Sequence, residues 1–540
     1  MKKLKRYAAL LLALTLVAGL LAGCRREDSL SFRVGFGRVP ATLDPALASA
    51  DEEKIVVSHL FENLMKLQSD GSGGTTAVNG MARSYQCDAT AEGQETYTFK
   101  LRSATWSDGT KVTAQDFVYA WKRLVAPETG SKNAKLLDMV AGYTAARAGD
   151  AEALQVSAPD EETFVVALSG RCPYFIDSVC TAAATMPVQS AAVAQENWSM
   201  SASTLVTNGP YTVSSWEGDT LTLTQSADYH DKRRLGPENL TFRFTADAKT
   251  ANSLYDRGEV DFVLGLTEEA VAKKIDSWTP DSYPETSVVL LNQLSSLTSN
   301  ENVRRAMGLV IDRNAIAELL GARTHPAAEG LVTWGIRRTA GGQLRDLGSA
   351  VDNDSENYEK NCQTARELMQ AAGYTAGALA KLGTVTMLYE SDGITDSLAA
   401  LLQKTWKEKL GLDVTLQGVT TAQIDQALAR GEYTIAALRV SSDRNDATGF
   451  LNSWRKGNED NYANFYSSAY DMLLRVAAVS VSQEARDAYL EDAERLLLEQ
   501  GNVIPLYYST ISWSLSEHYT GVFGDGLGRY FFYAVHKASK

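Results

Sequence analysis

The only long apolar run in this 540-residue chain comes at its start. Ala8 to Ala22 is broken only by Thr15 and Gly19, and Lys2, Lys3, Lys5 and Arg6 precede it. A basic end, an apolar run too short to cross a bilayer comfortably and a finish in small residues together form a secretory signal. No later run approaches a spanning length. The rest is therefore expected to fold as a water-soluble body outside the cytoplasm, long enough for two or more domains with large cores.

Charge narrows the partners. The chain is formally −14, and loss of the four basic leader residues takes it from −14 to −18. Binding phosphate needs a basic face, so nucleic acid is excluded as a partner, as is a body lying flat on anionic lipid. Beyond the leader there are Cys24, Cys87, Cys172, Cys180 and Cys362. Export permits disulfides, and the last four would allow three full pairings. Cys172 and Cys180 are the only close pair. If Pro173 to Val179 is helical they lie about 12 Å apart along the axis, too far to bridge. Free thiols are expected.

Short strands alternate with amphipathic helices along the whole length, which indicates α/β layering. Tyr97 to Leu101 alternates with period 2, as a half-buried strand does. Thr113 and Asp116 form a capping signal for a helix with Phe117, Trp121, Leu124 and Val125 on one face. Thr212-Val213 and Leu221 to Leu223 flank Glu217-Gly218-Asp219 as a hairpin. Asn300 to Ala317 reads as one helix. Ser480 and Gln483 read as the capping box of a last helix that stops at Gly501. Gly71 to Gly74 reads as a flexible loop.

The motifs of catalysis are missing. There is no G-x-S-x-G, no H-E-x-x-H and no P-loop. Gly35-Phe36-Gly37 begins a dinucleotide-like pattern, but Pro40 stands at its third glycine. The five histidines, His59, His230, His325, His518 and His536, are too scattered for a metal site, and no cofactor is implied. Asp51, Glu52 and Glu53 read as a solvated helix start. Nine Trp and 23 Tyr would suit a ligand-lined cleft.

Leu21-Ala22-Gly23-Cys24 resembles the lipobox of bacterial lipoproteins. That resemblance implies cleavage before Cys24, lipidation of Cys24 and a tether over residues 24–31. Further on, Ala41-Thr42-Leu43-Asp44-Pro45, Leu60 to Leu64, Tyr97 to Ser131, Thr207 to Tyr211, Gly258 to Asp261, Val303 to Ala306 with Ile311 to Arg313, and Ile504 to Tyr508 follow one another. In that order they resemble the peptide-type solute-binding proteins of ABC importers, the oligopeptide and dipeptide group of family 5.

The resemblance implies an α/β, two-lobed, periplasmic-binding-protein-like fold of the large peptide-binding class, hinged on two crossing strands. The first lobe would span 32–289, with an inserted subdomain at about 60–200. The second would span 290–500, and residues 501–540 would return to the first. The implied protein is a monomer and not an enzyme. Anchored to the cell membrane through Cys24, it would capture a peptide ligand and deliver it to ABC transporter permease subunits. A signalling-peptide receptor, or a binder of oligosaccharide or metal chelate, are alternatives on the same fold.

The implied site centres on Val440-Ser441-Ser442-Asp443, where Asp443 falls on the Asp that receives a peptide's terminal ammonium. The strips Ser49-Ala50-Asp51 and Val440-Ser441-Ser442 would pair with the ligand backbone. Asn208 lies within a family motif, and Asn133 stands where oligopeptide binders often place a Tyr. Arg439 would meet either a ligand carboxylate or a neighbouring acid. The chain departs from the family pattern at Val440 (a Trp), Arg444 (an aromatic) and Ala447 (a Pro).

Overall fold

The computed structural model describes residues 29–539, except 72–73, 92 and 274–279. The leader and Cys24 lie outside the described residues. So does the centre of the expected Gly71 to Gly74 loop.

Two sheets define two lobes. In the first, six strands run in the order Trp513–Leu515, Phe262–Leu264, Ser31–Phe36, Asn239–Phe244, Thr220–Gln225, Tyr211–Glu217. Ser31–Phe36 is parallel to both its neighbours. Its alternation puts Phe32, Val34 and Phe36 into a core with Phe242, Phe262 and Phe532. The expected hairpin forms between Tyr211–Glu217 and Thr220–Gln225, and Gly218 takes the left-handed φ of 57° that its turn requires. A second sheet of four strands (Ala82–Ala89, Glu95–Leu101, Thr163–Ala167, Val156–Asp160) shares this buried core. The helix Ala114–Val125 covers it, with Trp121 edge-on to Phe164 at 5.1 Å. Asp116 accepts the Thr113 N–H at 2.8 Å, as the capping signal predicts.

The other lobe is built on five strands in the order Val414–Val419, Val385–Glu390, Ile435–Ser441, Asp281–Leu291, Val503–Ile511. Within Asp281–Leu291, Val288 and Leu290 enter one core while Val289 and Leu291 enter another. A strand covered on both faces must be apolar at successive positions, which explains the Val-Val-Leu-Leu run.

The chain passes between the two large sheets twice, once between Leu264 and Asp281 and again at Ser512. The two passages run side by side, since Asp281 pairs with Ile511. Asp281 accepts hydrogen bonds from Trp513 Nε1 and Tyr530 Oη, both at 2.6 Å.

Three local expectations need correction. Asn300 to Ala317 is two helices, Glu301–Leu309 and Arg313–Leu320. Asp312 breaks the run by capping the second, accepting the Ala315 N–H at 3.0 Å. The last long helix, Gln483–Glu499, is capped by Ser482, not Ser480: Ser482 Oγ accepts from Ala485 N at 3.2 Å. Asp51 to Glu53 does start a helix, but Glu53 is buried and Asp51 is mostly enclosed. Cys87, Cys172, Cys180 and Cys362 are all free, as expected.

Candidate functional site

The lobes enclose a string of cavities. One of about 370 Å³ lies between Ser49, Asn133 and Lys135 of the first lobe and Leu438 to Asp443 of the second. A second, about 320 Å³, meets it at Leu527. A third, about 780 Å³, meets the second at Arg337, Asn445 and Arg529.

A free strand edge forms one wall of the first cavity. The strand Ile435–Ser441 pairs with Asp281–Leu291 along its whole length. On its other side Val385–Glu390 pairs only with Ile435, Ala436 and Ala437. From Leu438 to Ser441 no strand among the described residues pairs with that side, and these residues line the cavity. An extended chain can add to such an edge through main-chain hydrogen bonds.

Arg444 forms the floor where the lobes meet. Its Nε donates to Asp443 Oδ1 at 2.8 Å. Its Nη1 reaches across to Asp138 Oδ1 and to Tyr174 Oη, both at 3.0 Å, and Nη2 donates to the Lys135 carbonyl at 3.0 Å. The guanidinium also lies over the Tyr174 ring, 5.3 Å from its centre. Beside it, Lys135 Nζ crosses to Asp460 and to Ser453 Oγ. Asn445 N–H crosses to Ser178 Oγ at 3.3 Å. Burial works to raise the Asp443 carboxyl, but the charge and hydrogen bonds of Arg444, with Lys135 beyond, hold it below the usual carboxylate range.

The structure brings part of the expected site together. Ser49, Asn133, Arg439, Val440, Ser441, Ser442 and Asp443 all line the first cavity. Asn133 Nδ2 donates to the Ala48 carbonyl at 2.9 Å and so shapes that wall. Arg439 resolves in favour of neighbouring acids: its Nη2 sits 2.7 Å from Asp392, and its Nε is 3.9 Å from Glu285. Ser442 N–H is committed to the Pro284 carbonyl at 2.9 Å.

Two expectations are corrected. Ser49-Ala50-Asp51 is not a strand edge. Asp51 opens the helix Asp51–Leu60, and Glu53 Oε2 takes the Ser49 and Ala50 N–H groups at 2.9 and 3.1 Å. Asn208 does not reach the cavity. Its amide pairs both ways with the Glu62 backbone, each bond 3.0 Å, and locks two loops together. The neighbouring Gly209 packs where a Cβ would fall 2.5 Å from the Leu60 carbonyl carbon. Other quoted motifs are also joints: Asp44 is gripped by Arg123 and Asp261 by Arg33.

Sequence reasoning missed Lys132, Lys135, Asp138 and Tyr174. The only signal was a pair of lysines three apart around Asn133, which puts two cations near one wall.

Comparison with known proteins agrees with this architecture. The family described as bacterial extracellular solute-binding proteins, family 5 Middle, matches residues 76–462. The periplasmic oligopeptide-binding protein OppA of Escherichia coli is 28% identical over 480 residues, 86% of this chain and 85% of that protein. The dipeptide-binding protein DppE of Bacillus subtilis is 25% identical over 477 residues, covering 87% and 85%. Among solved structures, the Escherichia coli murein tripeptide binding protein MppA superposes with a TM-score of 0.74 at 25% identity, covering 95% of this chain and 99% of its own. Burkholderia pseudomallei OppA, at 24% identity, shares the fold with a TM-score of 0.75, covering 95% and 100%. Members of the matching family are binding proteins of transporters, not enzymes. With the match spanning well over half its length, the chain belongs to the bacterial extracellular solute-binding proteins, family 5.

Proposed function

We propose that this protein captures peptides between its lobes and hands them to the permease subunits of an ABC importer, while a lipid on Cys24 holds it at the cell membrane. The observation that carries the reading is the open edge Leu438 to Ser441 on the wall of an interlobe cavity. Main-chain pairing there fixes a ligand without reading its side chains, which suits a receptor for many sequences. The names of the relatives, oligopeptide-, dipeptide- and murein-peptide-binding proteins, point the same way. Arg444 and Lys135, which bridge the lobes, give closure its polar contacts. The protein acts as a monomer with neither cofactor nor metal.

Two experiments test the reading. Calorimetry with peptide mixtures should show saturable binding, and its complete absence would refute peptide capture. Cys24→Ala should move the protein from the membrane to the soluble fraction. An unchanged distribution, with no lipid mass lost, would refute the anchor.

A further inference from the structure

The lining of the first cavity holds more cations than acids, unlike the chain as a whole. The chain is strongly acidic. Yet Lys54, Lys132, Lys135 and Arg439 line this cavity against, among the described residues, two lining acids, Asp443 and Asp460, with Lys54 also 3.6 Å from Asp51. Both acids are already engaged within the protein, Asp443 by Arg444 and Asp460 by Lys135.

Asp443 cannot readily be released. The Arg444 side chain is only 2% exposed and is pinned on its far side by Asp138, Tyr174 and the Lys135 carbonyl. Pulling the carboxylate away would strip a buried guanidinium of one of its two counter-charges. An arriving ammonium would therefore meet a compensated carboxylate with a fixed cation directly behind it. An arriving carboxylate meets the reverse. Lys132 is exposed and, among the described residues, forms no ion pair. Arg439 adds its field from the same wall, although Asp392 partly balances it.

We infer that this cleft selects acidic peptides, which bring a carboxylate to the cavity beside Lys132 and place no ammonium on Asp443. The inference rests on the peptide reading above and names its substrate class. It also gives the arginine at 444 a role. By neutralising Asp443 from within the protein, Arg444 supplies the counter-charge that a ligand's amino terminus would otherwise bring.

The test uses purified full-length mature protein and two random-sequence pentapeptide mixtures, one with free amino ends and one acetylated. Retained peptides are read by mass spectrometry. Acetylated peptides should be retained at least as well as free ones. The retained set should favour Asp and Glu over Lys and Arg by about tenfold, the size expected of one charge contact at a partly exposed site. Lys132→Glu should abolish that enrichment, with an unchanged melting temperature as the check on folding. Retention restricted to free amino ends, and lost in Asp443→Asn, would overturn the inference while leaving peptide capture intact. Retention without any charge bias would also overturn it. No retention from either mixture would overturn peptide capture itself, and this inference with it.

Discussion

Arg444 and Asp138 are 306 residues apart in sequence, and their side chains meet at 3.0 Å across the cleft. One buried guanidinium thus joins the two lobes and, through its Nε, holds the acid that faces the cavity. Arg444→Leu should leave Asp443 and Asp138 without their cation. Both acids keep access to water, so the loss should be about 2 kcal/mol, below the range for a fully enclosed pair. Small-angle scattering should show a larger radius of gyration than wild type, because the lobes lose a contact. An unchanged radius with an unchanged melting temperature would show that Arg444 does not hold the lobes together.

Gly528 and Asp51 form a second tight contact at the cleft. Gly528 has φ of +90°, and a Cβ there would lie 2.7 Å from Asp51 Cγ. Gly528→Ala should lower stability by about 1–3 kcal/mol, part from the left-handed backbone and part from the clash. Asp51→Ala in the same chain should restore the steric part only. Urea unfolding of the two single variants and the double would measure the coupling.

His59 gives a pH dependence whose sign is fixed. It is fully buried, donates from Nδ1 to the Ile55 carbonyl at 2.8 Å and accepts the Phe532 N–H at Nε2, at 3.0 Å. Burial lowers its pKa from the usual 6.5 to about 4, with the Ile55 bond acting in the opposite direction. A base with a depressed folded-state pKa stays neutral in the fold while the unfolded chain takes up a proton. Stability is therefore lost as pH falls from about 6.5 towards 4. At pH 5 the loss from this group should be about 2 kcal/mol. Comparing unfolding of wild type and His59→Gln at pH 7.5 and pH 5 should show wild type losing more by that amount.

Arg345 and Glu494 form an enclosed ion pair, their side chains 4% and 0% exposed. Glu494 also accepts the Val332 N–H at 2.8 Å. Arg345→Leu should cost about 3–5 kcal/mol, because it strands a buried carboxylate. Replacing both partners with apolar residues should cost less than the single change. The reverse order in thermal melts would show that the pair stabilises by more than mutual compensation.

Much of this protein follows from sequence-local physics. Thr113 and Asp116 cap a helix because a cap needs only residues three apart. Glu217-Gly218-Asp219 turns a hairpin because glycine there meets no steric objection to its φ. The Val-Val-Leu-Leu run at 288–291 suits a strand buried on both faces, but only the structure shows it to be one. The order of motifs carried the family and the two-lobed α/β fold for the same reason, since each is a contiguous segment. What the sequence could not decide is where charges find their partners. Ser49 and Ala50 looked free to pair with a ligand until the chain turned and Glu53 took their N–H groups. Arg439 had two equal futures until the fold brought Asp392 to it from 47 residues away. Asp443 was a ligand-facing acid by position, and Arg444 a mere departure from pattern. Only packing one lobe against the other made them a pair with Asp138, because Coulomb interactions depend on distance in space and not along the chain.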